Sequence, residues 1–345
     1  MAEDFVQLKQ HQGTFEASGV IFNMGSEHAF KEITMKNKKG MKIANIGLRI
    51  SDGESMFLTL NGMEQDNVYF SKAGAKGEKT QTEKIEWAKR NRFNKEGFRL
   101  IGVSLALAKG EDSKNVAVKN FTQFDAVDEI KENLKDGVSV FVKGKIEFGS
   151  FLDEKSGELK KTVKYVPNAI YLSGKDIDFQ DAKFEKSAGF AQPVLVTGLR
   201  KEDGKNLIDF GIVGYKSYEE STMEANDSLF DALKTKLKKG ASITVTGVIK
   251  TSQNVEVVSA EVWGEESKVG KAKNNGKVIM VATGARPETM DVETYAKKPL
   301  AEYLEAVEAF KKEKADKSAS FNSQGSAKKE EWGEGSKVET EEEGW

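Results

Sequence analysis

An internal repeat is the sequence feature that most restricts how this chain can fold. Residues 134–146 read Leu-Lys-Asp-Gly-Val-Ser-Val-Phe-Val-Lys-Gly-Lys-Ile, and residues 237–249 read Leu-Lys-Lys-Gly-Ala-Ser-Ile-Thr-Val-Thr-Gly-Val-Ile, so seven of thirteen positions are identical. Each copy follows a helix-like stretch, Phe124 to Leu134 or Leu229 to Leu237, and then alternates with period two. A repeated helix, glycine and strand predicts two domains with the same architecture.

Further strand patterns surround each copy of the repeat. First strands are expected at Phe15 to Phe22 and Val194 to Arg200, hairpin strands at Met41 to Ile50, Met56 to Leu60 and Leu207 to Tyr215, and last strands at Lys161 to Leu172 and Asn254 to Trp263. The order of strand, hairpin, helix, glycine, strand and strand predicts a mainly β chain with short helices. It is the order of two tandem OB-folds, which are five-stranded Greek-key barrels. Gly144 and Gly247 lie inside the fourth strands, where such a barrel bends sharply.

With this order, the chain resembles OB-fold single-stranded DNA-binding proteins, in which a Leu-Lys-x-Gly-x-x-Val-x-Val-x-Gly run opens strand four and an acidic C-terminal tail ends in an aromatic residue. The resemblance covers residues 14–265 as two copies, together with the tail. It implies single-stranded DNA binding without sequence preference in replication, recombination and repair. It also implies that the tail recruits replication proteins such as polymerase, primase or helicase. Two barrels in one chain, and a tail of Glu and Trp, look more like a bacteriophage protein than the common bacterial family.

Charge divides the chain into a basic body and an acidic end. The last sixteen residues hold seven Glu and one Lys, a net charge of −6, and residues 1–329 carry a net charge of +4. From Lys317 onward, polar residues dominate, and a segment of that composition is expected to be disordered. The terminal residues Glu341, Glu342, Glu343 and Trp345 are expected to contact a basic-rimmed apolar pocket of a partner. The alternative is an extension that only increases solubility.

These patterns divide the chain into four parts. We expect a first OB barrel in residues 1–185 with a basic insertion at about 66–120, a second barrel in 190–270, a strand plus amphipathic helix in 277–316, and a disordered acidic tail in 317–345. In the third part, the strand is expected at Val278 to Ala282 and the helix from about Pro299. The apolar stripe of that helix, which consists of Leu300, Tyr303, Leu304, Val307 and Phe310, is expected to pack on its own chain.

The polar faces of the first-barrel strands carry aromatic and basic side chains. Period two directs Met56, Leu58 and Leu60 inward and leaves Phe57 outward. By the same alternation, the outward residues of the other two strands are Arg49, Phe141, Lys143 and Lys145. Binding of single strands without sequence preference requires aromatic rings for base stacking and cations for the backbone. We therefore expect Arg49, Phe57 and these three residues to form the centre of a DNA site. The alternative is that Phe57 and Phe141 cover a satellite core under the insertion.

Two further segments are expected to extend this site. The hairpin after the fourth strand contributes Phe148, Phe151, Lys161 and Tyr165. In the insertion, residues 72–99 carry a net charge of +5, and Trp87, Arg90 and Arg92 lie on a helix or at its end. The alternative for the insertion is a solvated helix packed by Ile85 and Trp87. The second barrel has no aromatic residue on the outward face of its fourth strand, so we expect it to bind DNA weakly or to be structural.

Composition argues against catalysis. The chain has no Cys and only two His, His11 and His28. Thiolate metal sites, Cys nucleophiles and His-rich sites therefore have little basis, and phosphate-loop, paired-His and dinucleotide motifs are missing. We expect no enzyme activity, no cofactor and no metal. With no signal sequence and no long apolar window, we expect a cytoplasmic protein, in the bacterial host if phage-encoded, with no membrane partner. The alternative function is an OB-fold protein-interaction or assembly protein that does not bind nucleic acid.

Overall fold

Strands account for most of the structure, a computed structural model that describes residues 5–35, 37–75, 78–107, 117–152, 159–238, 240–252 and 277–326. The strands up to residue 172 are β1 (Gly13–Phe22), β2 (Phe30–Thr34), β3 (Gly40–Ser51), β4 (Glu54–Met63), β5 (Asn67–Lys72), β6 (Gln81–Glu86), β7 (Arg99–Leu100), β8 (Val103–Ala106), β9 (Lys119–Phe121), β10 (Ser139–Leu152) and β11 (Leu159–Leu172). The later strands are β12 (Ala188–Glu202), β13 (Lys205–Val213), β14 (Tyr218–Ala225), β15 (Ser242–Ser252) and β16 (Lys277–Asp291). The helices are α1 (Gln123–Asn133), α2 (Asp227–Lys236) and α3 (Lys297–Ser326).

Ten of these strands form two closed circuits with the same pairing order. In the first, β1 pairs with β3 and β10, β3 pairs with β4, and β11 pairs with β10 and, in parallel, with β4. In the second, β12 pairs with β13 and β15, β13 pairs with β14, and β16 pairs with β15 and, in parallel, with β14. We call residues 13–172 the first unit and residues 188–291 the second unit. A helix precedes the fourth strand of each circuit.

The repeat predicted from the sequence has the same local structure in both units. The side chains of Thr122 and Asn226 cap the two helices by accepting backbone N–H hydrogen bonds at their first turns. After each helix, Gly137 (φ 86°) and Gly240 (φ 75°) adopt a left-handed backbone conformation that favours glycine. The predicted helices and the glycines that follow them are therefore confirmed.

The glycines within the two fourth strands lie at bulges. The pairing register shifts between Lys143 and Gly144 in β10, and between Thr246 and Gly247 in β15. A Cβ atom on Gly144 would lie 2.2 Å from a carbonyl oxygen of β11, and one on Gly247 would lie 2.1 Å from a carbonyl oxygen of β16. Only glycine permits this close approach of two backbones, so the bends expected at these positions are confirmed.

The two units share one sheet and one core. Strand β1 also pairs with β12, so that Phe15 lies opposite Phe190 and the ladder continues from the first unit into the second. A single cluster of buried apolar side chains extends through both units. Backbone pairing and core packing therefore join the units directly.

The last strand of the second unit differs from the sequence-based expectation. The strand expected at Asn254 to Trp263 falls outside the described residues. The strand that pairs with β14 and β15 is β16, which extends to Asp291 beyond the short strand expected at Val278 to Ala282. Residues 277–291 therefore complete the second unit instead of starting a separate unit at 277–316.

Helix α3 packs on the second unit through the predicted apolar stripe. Tyr303 and Val307 are buried in a cluster with Leu195, Val213 and other apolar side chains, which confirms that the stripe packs on its own chain. The helix continues to Ser326, so residues 317–326 are helical where the sequence predicted disorder. The rest of the predicted tail, residues 327–345, falls outside the described part of the chain. No helix in the described residues is both long and apolar enough to cross a membrane.

Candidate nucleic-acid interface

Two phenylalanine rings lie side by side on the outer face of the first unit. Phe22 of β1 is paired with Gly47 of β3, and Gly47 is paired with Phe57 of β4. Because Gly47 has no side chain, the Phe22 ring lies over it; a Cβ atom there would be 2.5 Å from the ring. Phe22 thereby reaches Phe57, with ring centroids 5.7 Å apart and an angle of 60° between the ring planes. Phe57 keeps 50% of its surface exposed, as its outward position in the alternation predicts.

A cation lies next to these rings. The guanidinium carbon of Arg49 lies 5.9 Å from the centroid of Phe22. Arg49 is exposed, and no ion pair involves it within the residues that the structure describes. We call Phe22, Gly47, Arg49 and Phe57 the aromatic platform. Its neighbours on the same face of β2, β3 and β4 are neutral or basic and consist of Lys31, Ile33, Met41, Ile43, Asn45, Ser55, Thr59, Asn61 and Met63.

The second predicted group, on β10, lies on the same outer face, across β1 from the platform. Phe141 is paired with Ser18, two positions before Val20, and Val20 is paired with Arg49. Phe141 is half-buried, and the Lys143 Nζ atom lies 5.3 Å from its ring centroid. Lys143 also forms an ion pair with Glu16, at 2.8 Å between Nζ and Oε1. The connection between the units crosses beside these residues, since the Ile177 N–H donates to the Ser139 hydroxyl. Phe141 is therefore partly flanked by the connection, and Glu16 partly neutralises Lys143.

The two faces of the β10–β11 hairpin have different surroundings. Phe148 packs edge-on against Phe210 of the second unit, with centroids 5.7 Å apart. Tyr165 is 3% exposed and packs edge-on against Phe15, and this burial raises the pKa of its phenol. Tyr165 is too buried to stack with a base, which corrects its prediction as a DNA contact, whereas Phe148 is half-buried and lines the cleft between the hairpin and the second unit.

The remaining predicted hairpin residues lie on opposite faces. By alternation along β10, Lys145 and Phe151 share the face away from Phe148, and both are exposed. Lys161 is paired with Ser150, on the Phe148 face, and lines a cleft between the hairpin and the second unit. The structure therefore groups Lys145 with Phe151 and separates Lys161 from them.

In the insertion, Trp87 and Arg90 are neighbours, as predicted, but they contact α1. Residues Trp87–Lys89 form a short 3-10 turn at the end of β6. The Trp87 ring packs edge-on against Phe124, and the Arg90 guanidinium lies 4.0 Å from the Trp87 ring centroid. The Nε and Nη2 groups of Arg90 donate to the Asp125 carboxylate, each at 2.8 Å, and Nη1 donates to the Trp87 carbonyl. Partial burial alone would raise the pKa of Asp125, but the hydrogen bonds from Arg90 and Thr122 outweigh it and lower that pKa. Trp87 and Arg90 therefore dock the insertion on α1, whereas Arg92 remains exposed.

Sequence reasoning missed one of the two platform rings, Phe22, and the glycine beneath it, Gly47. The predicted first strand, Phe15 to Phe22, has a period-two pattern in which Phe15 and Ala17 are buried. The same alternation leaves Phe22 on the outer face, so the signal was present in the sequence. The contact that makes Phe22 part of the platform depends on Gly47, which only the strand register reveals.

Aromatic and basic residues of the second unit are arranged differently. Tyr215 is 65% exposed, and Lys216 lies between Phe5 and Phe310, with its Nζ 5.1 and 4.9 Å from their ring centroids. Arg200 forms ion pairs with Glu202 and Asp209. Among the described residues, no group of three or more His, Asp or Glu side chains has an arrangement that could hold a metal ion.

Comparisons with known proteins identify a family. Two solved structures that resemble this one are forms of the single-stranded DNA binding protein from Thermus aquaticus. A deletion mutant of that protein is 12% identical, with a TM-score of 0.37, 84% of this chain covered and 98% of that chain. The wild-type protein is 11% identical, with a TM-score of 0.36 and coverage of 81% and 93%. At these scores, neither likeness carries an argument. No curated protein matches the sequence. The YorF family model matches residues 72–319, which is well over half of the chain, and the chain therefore belongs to the YorF family.

Proposed function

We propose that this protein binds single-stranded DNA largely without sequence preference, through the outer face of the first unit. The observation that carries the proposal is the aromatic platform, in which Phe22 and Phe57 lie side by side over Gly47 with Arg49 at their edge. Each base has a flat π face that stacks on such rings, at about 1–3 kcal/mol per base. Arg49 and nearby lysines would bind the phosphates by releasing counterions.

We further propose that both units are OB barrels. Support comes from the closed five-strand order with a helix before the fourth strand, found twice in the chain. The first barrel would occupy residues 1–185, with the insertion at about 66–120. The second would begin near residue 190 and end with β16. In OB barrels, the face of the second and third strands is a common ligand surface, and here it is the face of β3 and β4 that carries Arg49 and Phe57.

The cellular role that we propose is protection of single strands in replication, recombination and repair, in the cytoplasm of a bacterial host if the protein is phage-encoded. The acidic tail, with Glu341, Glu342, Glu343 and Trp345, would recruit a polymerase, primase or helicase. Support comes from composition alone: a block of carboxylates followed by an aromatic residue suits a basic-rimmed apolar pocket. We propose no catalytic, cofactor or metal role for any residue.

Fluorescence anisotropy of labelled oligonucleotides tests the DNA proposal. We expect oligo(dT) of about 20 nucleotides to bind with strong salt dependence, and duplex DNA to bind less tightly. An RNA oligonucleotide of the same length measures the preference between DNA and RNA. Phe57→Ala should weaken oligo(dT) binding about tenfold, since it removes one stacking ring. Tyr215→Ala is the matched control, because it removes an exposed ring outside the platform, 65% exposed against 50% for Phe57.

Two results would contradict the proposal. If oligo(dT) does not bind at low salt, the first unit has no DNA site, and an OB-fold protein-interaction or assembly role becomes the better explanation. If Phe57→Ala and Tyr215→Ala reduce affinity equally, DNA binds but not at the platform.

A further inference from the structure

The insertion contains a small sheet of its own with two unlike faces. Strands β5, β6 and β7 pair in the order β6-β5-β7, and we call them the insertion sheet. On one face, Val68 and Phe70 are buried, and the Phe70 ring packs against Phe93 with centroids 4.4 Å apart. Phe98 packs edge-on against Phe93. This face is therefore the sheet's own small core.

The opposite face of the insertion sheet is exposed and carries an aromatic ring between cations. Tyr69 is 48% exposed and is paired directly with Lys84. The Ile101 N–H donates to the Tyr69 carbonyl, which places Ile101 on the other side of Tyr69. Arg99 is paired with Ser71, one step along the same face. Neighbouring residues on one face of a sheet have side chains within contact range, so Tyr69, Lys84, Arg99 and Ile101 form one surface.

Some charged residues of the insertion form ion pairs, whereas the cations of this exposed surface do not. Glu83 lies on the opposite face, where it forms an ion pair with Lys95, and Glu86, which lies at the end of the exposed face opposite Asn67, is neutralised by Lys89. By contrast, Lys84 and Arg99 take part in no ion pair within the described part of the chain. The exposed face therefore presents uncompensated positive charge next to an aromatic ring.

We propose that this exposed face of the insertion sheet, formed by Tyr69, Lys84, Arg99 and Ile101, is a second contact surface for the same single strand that binds the aromatic platform. The inference rests on the proposed function. Chemically, the surface offers what the platform offers: a ring on which a base stacks and cations for the backbone. The Arg90–Asp125 ion pair and the Trp87–Phe124 contact fix the insertion on α1. The two surfaces therefore lie at a fixed separation, and only a strand long enough to span them engages both.

Oligonucleotide length provides the test. The triple variant Tyr69→Ala, Lys84→Gln and Arg99→Gln should bind oligo(dT) of about 20 nucleotides roughly tenfold more weakly than the unaltered protein. Its affinity for an oligonucleotide of about 6 nucleotides, which occupies the platform alone, should stay unchanged. The control is Lys95→Gln, which removes one positive charge from the insertion at a residue paired with Glu83 on the opposite face of the sheet. Thermal melting of each variant confirms that it is folded.

The outcomes separate this inference from the proposed function. If the triple variant binds long and short oligonucleotides as the unaltered protein does, the insertion sheet does not contact DNA, and the platform is then tested separately by Phe57→Ala. If it weakens both lengths equally, its surface is not a separate site, which also contradicts the inference. If neither length binds the unaltered protein, the proposed function itself fails.

Discussion

In the first unit, the row of paired residues across β1, β3 and β4 consists of Phe22, Gly47 and Phe57. The corresponding row across β12, β13 and β14 of the second unit consists of Gly198, Asp209 and Thr222. The repeat fixes this correspondence, because Val20 is paired with Ser139 in the first unit and Leu195 is paired with the equivalent Ser242 in the second. The strand order is therefore the same, but Asp209 stands where the first unit has Gly47, and Thr222 stands where it exposes the ring of Phe57.

The corresponding outer faces of the two units also differ in charge. The face of β13 and β14 carries Asp209, Glu220 and Glu224, and the nearby cations Arg200 and Lys205 form ion pairs with Asp209 and Glu224. The equivalent face of the first unit has no acidic side chain among the platform residues and their neighbours on β2, β3 and β4. A negative face repels phosphates. The comparison teaches that these side chains, and not the shared strand order, distinguish the face that we propose for nucleic-acid binding from its counterpart in the second unit.

The outer faces of the two units also differ in how far they are open to a ligand. The second-unit counterparts of Val20 and Arg49 are Leu195 and Gly211, and Leu195 is buried with Val213 in the cluster under α3. The Tyr303 hydroxyl donates to the carbonyl oxygens of Gly214 and Ser217, at 2.8 and 3.0 Å. Helix α3 therefore covers part of the face whose equivalent in the first unit is open and carries Arg49.

The largest effect is expected from removing the contact of α3 with the second unit. Tyr303→Ala should lower the free energy of unfolding by about 3–5 kcal/mol, because it leaves a cavity in a buried cluster. Chemical denaturation followed by circular dichroism measures this loss. Oligo(dT) affinity below the unfolding transition should not change, since the platform belongs to the first unit. A gain in DNA affinity would contradict the comparison, because it would mean that the covered face binds DNA once it is open.

The second-largest effect is expected from acid, which should weaken the contacts of His11 with the second unit. The backbone N–H of Val213 donates to His11 Nδ1, and His11 Nε2 lies 3.1 Å from the Ser242 hydroxyl. Burial lowers the pKa of His11 to about 4, from 6.5 in the unfolded chain. The unfolded state therefore binds a proton first, and stability that is complete above pH 6.5 is lost as the pH falls towards 4, by about 3 kcal/mol.

Denaturation at several pH values measures this dependence, and His11→Gln is the control. The variant should be less stable at pH 7 and should lose less stability between the unfolded-state pKa of 6.5 and the folded-state pKa of about 4. If the variant and the unaltered protein show the same pH dependence in that range, His11 is not the titrating group.

Exchanging residues between the two rows tests the comparison directly. Phe57→Thr gives the first unit the residue of the second, and it should weaken oligo(dT) binding about tenfold through lost stacking. Thr222→Phe, the reciprocal exchange, should give at most a small gain, because Asp209 and Glu220 remain on that face. Anisotropy titrations at one salt concentration measure both variants. A large gain in the Thr222→Phe variant would show that the missing ring alone, and not the acidic face, separates the units.

The smallest effect is expected from the acidic tail. Deleting residues 330–345 removes a net charge of −6 that would compete with DNA for the basic first unit. Affinity for oligo(dT) should rise about threefold at low salt, and the effect should disappear at high salt because the competition is screened. Recruitment of replication proteins should be lost in pull-down experiments. Unchanged affinity at low salt would contradict competition by the tail.

The sequence predicted those features that depend on local pattern. Alternation placed Phe57 and Arg49 on the outer face, and the repeat located both helices and the bulge glycines Gly144 and Gly247. These features follow from the period of a strand and from the backbone freedom of glycine, both of which a single segment reveals.

Features that depend on distant partners could not be predicted in this way. The hairpin pattern of aromatic residues and lysines gave no sign that Phe148 would meet Phe210, or that Tyr165 would meet Phe15. Similarly, the sequence predicted Arg90 as a DNA contact and gave no sign that it would pair with Asp125. In the second unit, residues 253–276 separate β15 from β16, so the last strand lies much farther along the sequence than the repeat predicted.

The ladder between β1 and β12 limits how the protein can respond to a ligand. Thr14 to Ala17 pair with Ala188 to Ala191, and Thr251 of the second unit is hydrogen-bonded to Ser55 of the first. A hinge motion between the units would have to break these bonds and open the shared core. The two units therefore cannot close on a ligand by a hinge motion, and a DNA strand that binds as we propose would have to bend to fit a fixed surface.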